Sequence, residues 1–328
     1  SRFAPSLNIH IFNSGDRKKI LETAGNNDVV LCTYGVLSSE IENMSKPVWN
    51  VVVLDEAHAI KNRTSQISKN VHSLKSKARV LLTGTPIQNH LSEIWNLFDF
   101  ANPGLLGSLP DFSERFIIPI EKYQDKDQQR LLKKMISPFL LRRTKAEVLE
   151  ELPQKTEITI KVSMSPEETA LYENLRNNTL ENLASGEINS IQAMAALTKL
   201  RQAACNPKLV DAKLDIPSSK ASVFLELVKD LIANNHRALV FSQFTSHLAL
   251  IKQVLDEAKI EYLYLDGSTP TSERKGLVEK FQTGLTPIFL ISLKAGGLGL
   301  NLTGADYVIH LDPWWNPAIE DQASDRAY

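Results

Sequence analysis

The fold of this chain is decided by the stretch VVVLDEAH, residues 51–58. An apolar run that ends in two carboxylates is typical of a strand buried on both faces, with Asp55 and Glu56 emerging at its carboxyl end. Open parallel sheets bind their ligands at that end of the strands. An aspartate there suits a magnesium ion bridged to nucleotide phosphates, and a neighbouring glutamate can orient and deprotonate an attacking water.

A second apolar run, VLLTGTP at residues 80–86, supports the same interpretation. Taken alone, an Asp-Glu pair after an apolar run is equally well explained by two acids that cap a strand. The second strand, with its Thr-Gly-Thr-Pro ending, favours a ligand site over that simpler explanation.

The composition is that of an ordinary globular protein. The chain has 328 residues, of which 43% are hydrophobic and 23% charged, and it is long enough for two or more domains. A net charge of −1 gives no global basic field, so a nucleic-acid surface would have to be a local stripe. Cys32 and Cys205 lack the paired spacing of a zinc site, and we expect both to be reduced packing residues in a reducing compartment.

Strands and helices alternate in the first hundred residues and again in the last hundred. This rhythm predicts parallel sheets covered by helices, with helical segments between the two α/β parts. We predict domains at 1–103, 104–214 and 215–328, and a capping box at Ser165–Glu168 in the middle one. The predicted strands are Leu7–Phe12, Val29–Cys32, Val51–Leu54, Val80–Leu82, Ala238–Phe241, Tyr262–Leu265, Ile288–Ile291 and Tyr307–Leu311.

The last part of the chain carries two further candidate features. A glycine-rich turn, residues 292–302, follows a strand directly, and its clustered amides can form a nest for an anion. Asn316-Pro317 begins a predicted helix on which Gln322 and Arg326 share one face, which places a guanidinium where it can meet a phosphate. A plain strand-to-helix corner and a surface arginine beside Asp325 are the simpler alternatives.

With these motifs in order, the chain resembles the Swi/Snf-type ATPases, a branch of the superfamily-two helicases. DEAH at residues 55–58 looks like the Walker B motif of that family, and LTGTPIQN at 82–89 like its third motif. Further matches lie at 138–145, 200–202, 240–244, 266–268, 292–306 and 312–326. The resemblance implies two RecA-like lobes with ATP and Mg²⁺ between them, helical protrusions from both, and double-stranded DNA bound across the pair without sequence readout.

The resemblance also implies residue roles. Asp55 would hold magnesium through water, Glu56 would activate the hydrolytic water, and Arg326 would be the first arginine finger. At the ATP site and its coupling to the lobe interface it places His58, Thr83, Gly84, Thr85, Gln88, Gly297 and Gln322. At the DNA it places Thr33, Tyr34, Gln243, Ser292, Lys294, Asn301 and Trp315, and it makes Arg142 and Arg143 a brace between a protrusion and the second lobe.

The sequence departs from the family pattern in two places. No Gly-x-x-x-x-Gly-Lys-[Ser/Thr] motif occurs among the 328 residues, and the second arginine finger would fall one position after Tyr328. We therefore expect a fragment that hydrolyses ATP poorly by itself, taken from an active duplex-DNA translocase that remodels protein-DNA complexes.

Two other function classes stay open at this stage. One is an RNA helicase or RNA-polymerase-recycling ATPase, because the same two-lobe engine serves many tasks. The other is a catalytically silent duplex-binding module. We expect a monomer. We also expect no membrane partner, since the longest apolar runs are of strand length. It would lie in the cytoplasm with a prokaryotic nucleoid, or in the nucleus if the source is eukaryotic.

Overall fold

The chain forms two compact units, Ser1–Pro153 and Gln154–Tyr328. The structure is a computed structural model, and it describes residues 3–13, 17–84, 90–143, 155–185, 189–296 and 301–327. The predicted middle segment, 104–214, is divided between the two units. Every strand pairing in the described residues is parallel, so the predicted α/β class is confirmed.

The first unit contains two separate pairs of parallel strands. Strand β1 (Asn8–Ile11) pairs with β2 (Asp28–Leu31), and β3 (Val48–Leu54) pairs with β4 (Lys75–Leu81). The helices are α1 (Arg17–Thr23), α2 (Tyr34–Ser39), α3 (Ile41–Met44), α4 (Gln66–His72), α5 (Leu91–Ala101), α6 (Leu109–Phe112) and α7 (Lys126–Ile136). Short 3₁₀ turns at Ala57–Ile60 and Ser137–Phe139 and a π-helical segment at Ser113–Lys122 complete the unit.

The prediction that the strand at Val51–Leu54 is buried on both faces is wrong for this chain. Leu54 is buried in the core, but Val51 and Val53 are 50% and 54% exposed. The described residues pack on these strands from one side, and an apolar face is covered only where another element lies on it. Nine apolar side chains share this exposure on the four strands and just after β4: Ile9, Ile11, Val29, Leu31, Val48, Val51, Val53, Val80 and Leu82.

Helix α5 belongs to two cores of the first unit. Leu97 and Phe100 pack with the strands, whereas Ile94, Trp95 and Phe98 pack with α6, the π-helical segment and α7. A helix with apolar residues around most of its circumference is expected in such a position. Residues 104–139 therefore form a helical extension of the first unit that is anchored through α5.

The second unit is built on one four-stranded parallel sheet in the order β6-β7-β5-β8. The strands are β5 (Ala238–Ser242), β6 (Tyr262–Leu265), β7 (Ile288–Ser292) and β8 (Tyr307–His310). The helices are α8 (Pro166–Ala184), α9 (Ser190–Cys205), α10 (Ser219–Ala233), α11 (Thr245–Glu257), α12 (Thr271–Gln282), α13 (Leu293–Gly296) and α14 (Pro317–Ser324), with a 3₁₀ turn at Pro207–Leu209.

The central strands of this sheet are buried on both faces. Every residue of β5 and β7 is buried. Alternate residues enter different cores: Val240 and Leu290 pack under α10 and α11, whereas Phe241 and Ile291 pack on the side of α12 and α14. Continuous apolar runs are thus explained by helices on both faces, as is usual for parallel sheets.

One buried carboxylate joins the helical part of the second unit to its sheet part. Glu168 and Ser165 form the predicted capping box at the start of α8, which the structure confirms. The Glu168 carboxylate also accepts hydrogen bonds from the amide and hydroxyl of Ser219 at the start of α10. Among the described residues, no helix has both the length and the apolar content needed to cross a membrane.

Candidate functional sites

The acidic pair and the Thr-Gly sequence of the first unit lie at one sheet edge. The Leu82 amide donates to the Leu54 carbonyl at 2.8 Å, and the Ala57 amide donates to the Leu82 carbonyl at 2.9 Å. These bonds extend the β3–β4 pairing past the ends of both strands. Asp55, Glu56 and Thr83 therefore emerge together at the carboxyl ends of parallel strands, where such sheets bind ligands.

The backbone of Glu56 is strained. Its φ of 47° lies in the left-handed region, which costs a residue with a Cβ about 1 kcal/mol or more. The Glu56 amide donates to Asp55 Oδ1 at 2.9 Å. At this edge Asp55 is exposed and Glu56 is partly exposed.

Two side chains predicted for different roles support this turn. Tyr34 Oη donates to the Asp55 carbonyl at 2.9 Å, and His58 Nδ1 lies 3.3 Å from Glu56 Oε2. Burial, together with the negative charges of Asp55 and Glu56, raises the pKa of Tyr34 to about 12, so its hydroxyl stays a donor at neutral pH. Thr33 caps α2 by accepting from the Val36 amide at 3.2 Å, and it is exposed.

The other predicted residues of the first unit are placed as follows. Gly84 is exposed, and among the described residues a Cβ there would meet no atom within 4 Å. Thr85 and Gln88 lie outside the described residues. Arg142 and Arg143 are exposed shortly after the 3₁₀ turn that ends at Phe139, in the part of the chain that belongs to the first unit.

A buried carboxylate organises the corresponding edge of the second unit. Asp312, just after β8, is 3% exposed and accepts from Ser242 Oγ at 2.7 Å and from the Gln243 amide at 3.0 Å. Burial raises its pKa above the usual range, although these hydrogen bonds act in the opposite direction. The carboxylate thereby joins the carboxyl ends of the neighbouring strands β5 and β8.

Beside Asp312, an arginine from α9 lies among three aromatic rings. The guanidinium carbon of Arg201 lies 4.6 Å from the Trp315 ring, 5.5 Å from Trp314 and 5.8 Å from Phe244. It donates to Gln243 Oε1 at 3.1 Å and to the Pro313 carbonyl. These contacts hold the indole of Trp315, which is 58% exposed, at the surface.

Gln243 and Ser292, both predicted at the DNA, each have a side-chain oxygen that accepts a hydrogen bond inside the second unit. Gln243 Oε1 accepts from Arg201, and its Nε2 is buried. Ser292 is 3% exposed and accepts from the Ala295 amide at 3.3 Å. Lys294 and Asn301 are exposed, whereas Gly297 lies outside the described residues.

The predicted helix that carries Gln322 and Arg326 on one face is shorter than expected. Helix α14 ends at Ser324, so Arg326 follows in a turn, and the expected i, i+4 pairing on one helix is wrong. The Arg326 carbonyl accepts from the Leu302 amide at 2.8 Å, which ties this turn to the end of the glycine-rich segment. A backbone contact outside the helix therefore positions this arginine.

Three residues matter to this edge but received no role from the sequence. Arg201 and Asp312 stand inside motifs quoted above, and their arginine and buried-acid chemistry was the available signal. His247, on α11, gave none, because a histidine on an apolar helix face is ordinarily a packing residue.

Comparisons with known proteins identify the family of this chain. The SNF2-related domain matches residues 1–209, and the helicase conserved C-terminal domain matches residues 219–328. The chain therefore belongs to the SNF2-related family of helicase-like proteins. The α/β fold predicted for the chain is seen in both of its units, each of which has parallel strands.

Individual relatives are similar over nearly the whole chain. YwqA of Bacillus subtilis, assigned by name as an ATP-dependent helicase/translocase, is 40% identical over 99% of this chain and 37% of its own length. The DNA repair and recombination protein RAD26 of Saccharomyces cerevisiae is 34% identical over 96% of this chain and 32% of its own length. The Sulfolobus solfataricus SWI2/SNF2 ATPase core in complex with dsDNA is 35% identical, with a TM-score of 0.48 over 100% of this chain and 70% of that one. The chain thus spans about a third of the length of these two curated relatives.

Proposed function

We propose that this chain is part of an ATP-driven translocase on double-stranded DNA that remodels protein-DNA complexes. The observation that carries the proposal is the strained Asp55-Glu56 turn at the carboxyl edge of β3, in a chain of the SNF2-related family. Stored backbone strain at a ligand edge is typical of functional sites. The names of YwqA and RAD26 support ATP dependence and a DNA substrate.

In this proposal the acidic turn serves ATP hydrolysis. Asp55 is exposed, and an accessible carboxylate that keeps metal-bound waters suits Mg²⁺. When bound, Mg²⁺ neutralises charge on the phosphates. Glu56 orients and deprotonates the attacking water, and His58 at 3.3 Å positions the Glu56 carboxylate. Thr83, Gly84, Thr85, Gln88, Gly297, Gln322 and Arg326 keep the nucleotide and coupling roles that the resemblance gives them.

The duplex-binding role falls on the exposed residues. Lys294 offers a charge to a phosphate, and Thr33, Asn301 and Trp315 are accessible for contacts that position the duplex without reading its sequence. Tyr34, Gln243 and Ser292 stabilise the carboxyl edges of the two sheets through the hydrogen bonds described above. Arg142 and Arg143, both exposed, keep the role of a brace.

Glu56→Gln tests the proposal directly. The amide keeps the size of the side chain but cannot accept a proton, so we expect duplex-stimulated ATP turnover to fall by about 10²- to 10⁴-fold. The measurement is phosphate release with and without blunt duplex DNA, in a polypeptide extended to include a phosphate-binding loop. Glu42→Gln, which changes an exposed acid on α3, is the matched control and should leave turnover unchanged.

The same assay separates the alternatives. Unchanged turnover in Glu56→Gln would favour a silent duplex-binding module. Efficient separation of RNA duplexes, measured by strand displacement, would favour an RNA helicase. We expect the 328-residue chain alone to hydrolyse ATP far more slowly than the extended polypeptide, because its sequence contains no phosphate-binding loop motif.

A further inference from the structure

Three side chains with metal-binding chemistry meet in the interior of the second unit. They are Cys205 at the end of α9, His247 in the first turns of α11, and Asp312 after β8. One ligand atom from each lies within 4.8 Å of the others, and all three residues are buried. Within the described part of the chain, this is the one group of at least three such residues.

The imidazole of His247 is the observation that points to a ligand. The residue is fully buried, at 0% exposure, and neither Nδ1 nor Nε2 has a hydrogen-bond partner among the residues that the structure describes. A buried polar group without a partner costs about 1–3 kcal/mol, so such groups call for an explanation. Its neighbours supply one, because a thiol and a carboxylate lie where a shared ion could bind all three.

The surroundings are organised as they are around metal ligands. Asp312 is held by two donors, Ser242 Oγ and the Gln243 amide, and hydrogen bonds of this kind fix the direction of a ligating carboxylate. The backbone of Cys205 is held as well, because its carbonyl accepts from Ser218 Oγ at 3.2 Å. Two of the three ligands thus come from restrained positions.

Charge and distance select the cation. The positive charges of Lys220 and Arg201 lie near the cluster and repel a cation. A bound cation must therefore have its charge neutralised by its own ligands. When a cation binds, the Cys205 thiol releases its proton to solvent, and the resulting thiolate and the Asp312 carboxylate together cancel a charge of +2. Bond lengths of about 2.0–2.3 Å to zinc place its ligands roughly 3–4 Å apart, so the cluster needs to contract by about 1 Å. The mixed sulfur, nitrogen and oxygen set suits Zn²⁺.

We propose that Cys205, His247 and Asp312 supply the three protein ligands of a Zn²⁺ site that ties together the end of α9, the start of α11 and the end of β8, with the fourth position left to water. The site lies beside Arg201 and the aromatic rings around it, since Asp312 directly precedes Pro313, whose carbonyl accepts a hydrogen bond from Arg201. It therefore sets the position of Trp315 relative to α9. The proposal does not depend on the function proposed above.

The experiment uses Co²⁺ as the probe, because a cobalt-thiolate bond gives an intense charge-transfer absorption. The 328-residue chain is reduced, stripped of metal with a chelator and titrated with Co²⁺. We expect one equivalent to produce the band and one equivalent of Zn²⁺ to abolish it. Because the chain has two cysteines, Cys32→Ala is a matched control that should keep the band, and Cys205→Ala should lose it.

The outcomes decide the proposal even if a variant folds poorly. The wild-type titration needs no substitution, and absence of a charge-transfer band in it overturns the site. A band that persists in Cys205→Ala, or that disappears in Cys32→Ala with normal circular dichroism, also overturns it. His247→Leu places an apolar side chain of similar size at the buried position and should weaken Co²⁺ binding at least tenfold. An unchanged affinity would overturn the assignment of His247 as a ligand.

Discussion

Arg201 is expected to contribute strongly to the stability of the second unit. Its guanidinium donates to the Gln243 side chain and to the Pro313 carbonyl, and hydrogen bonds with a charged partner contribute about 1.5 kcal/mol or more each. Its contacts with three rings add about 0.5–1 kcal/mol for the closest, Trp315 at 4.6 Å. Because these terms share one half-buried side chain, we expect Arg201→Ala to cost about 3 kcal/mol.

Hydrogen exchange read by mass spectrometry measures this cost in the second unit alone. The slowest amides of β5 and β7 report global unfolding of that sheet, and the first unit serves as an internal reference. Exchange of those amides should accelerate about 100-fold in Arg201→Ala, and exchange in β3 should not change. The exchange rates therefore measure how much the Arg201 contacts, including the one with Trp315, add to the free energy of unfolding of the second unit.

Two further variants test the assigned contacts. Arg201→Lys keeps the charge but loses the planar fork, so it should cost about 1–2 kcal/mol. A double-mutant cycle with Trp315→Ala should give a coupling free energy of about 1 kcal/mol. A cost below about 0.5 kcal/mol for Arg201→Ala, or no coupling to Trp315, would refute the reasoning.

Three other perturbations have defined outcomes. Lys294→Ala should reduce the slope of log duplex affinity against log salt concentration by about 0.9. The control Lys229→Ala, on α10, should leave this slope unchanged. Equal slopes in the two variants would contradict a phosphate contact by Lys294. Hydrogen bonds from the Gly25 amide and from Asn8, with His10 Nε2 at 3.2 Å, lower the pKa of Asp28 to about 2. The stability that these contacts give is therefore present above the unfolded pKa of 3.8 and is lost as pH falls toward 2. Melting curves should therefore show a smaller loss between pH 4 and pH 2 in Asp28→Asn, and equal losses would contradict the assignment. Glu168→Ala should lower the free energy of unfolding of the second unit by about 2–4 kcal/mol in denaturant titrations, since it leaves the Ser165 and Ser219 donors without their acceptor. The control Glu167→Ala changes an exposed side chain and should alter that free energy by less than about 0.5 kcal/mol. Equal effects of the two substitutions would refute the role of Glu168.

The positions of the strands were predictable from local sequence. Tyr262–Leu265 has the predicted bounds, and most other strands differ from prediction by one to three residues at an end. The prediction of a strand at Val80–Leu82 is wrong in extent, because pairing with β3 begins five residues earlier, at Lys75, in a polar stretch. Apolar runs of four to seven residues between turn residues carry this signal locally. Burial was not equally predictable. VVVL at 51–54 and ALVF at 238–241 are both continuous apolar runs, yet β5 is buried on both faces and β3 is not.

In the candidate sites, too, the features set by local sequence were predictable and those set by distant contacts were not. The sequence placed Asp55 and Glu56 at the end of a strand, since a strand followed by acids is a local pattern. It could not show the left-handed backbone of Glu56, nor that α14 ends before Arg326. Both depend on contacts with distant residues, such as the bond from the Ala57 amide to Leu82 and that from the Leu302 amide to Arg326.

The sequence by itself determined the order of strands and helices, the acidic edge and the family resemblance, because each depends on residues close together in the chain. Only the tertiary structure brought Cys205, His247 and Asp312 together, and placed Arg201 among the rings of Phe244, Trp314 and Trp315. These groupings join segments up to about a hundred residues apart. Their geometry is set by how helices pack on a sheet, and no local pattern encodes that packing.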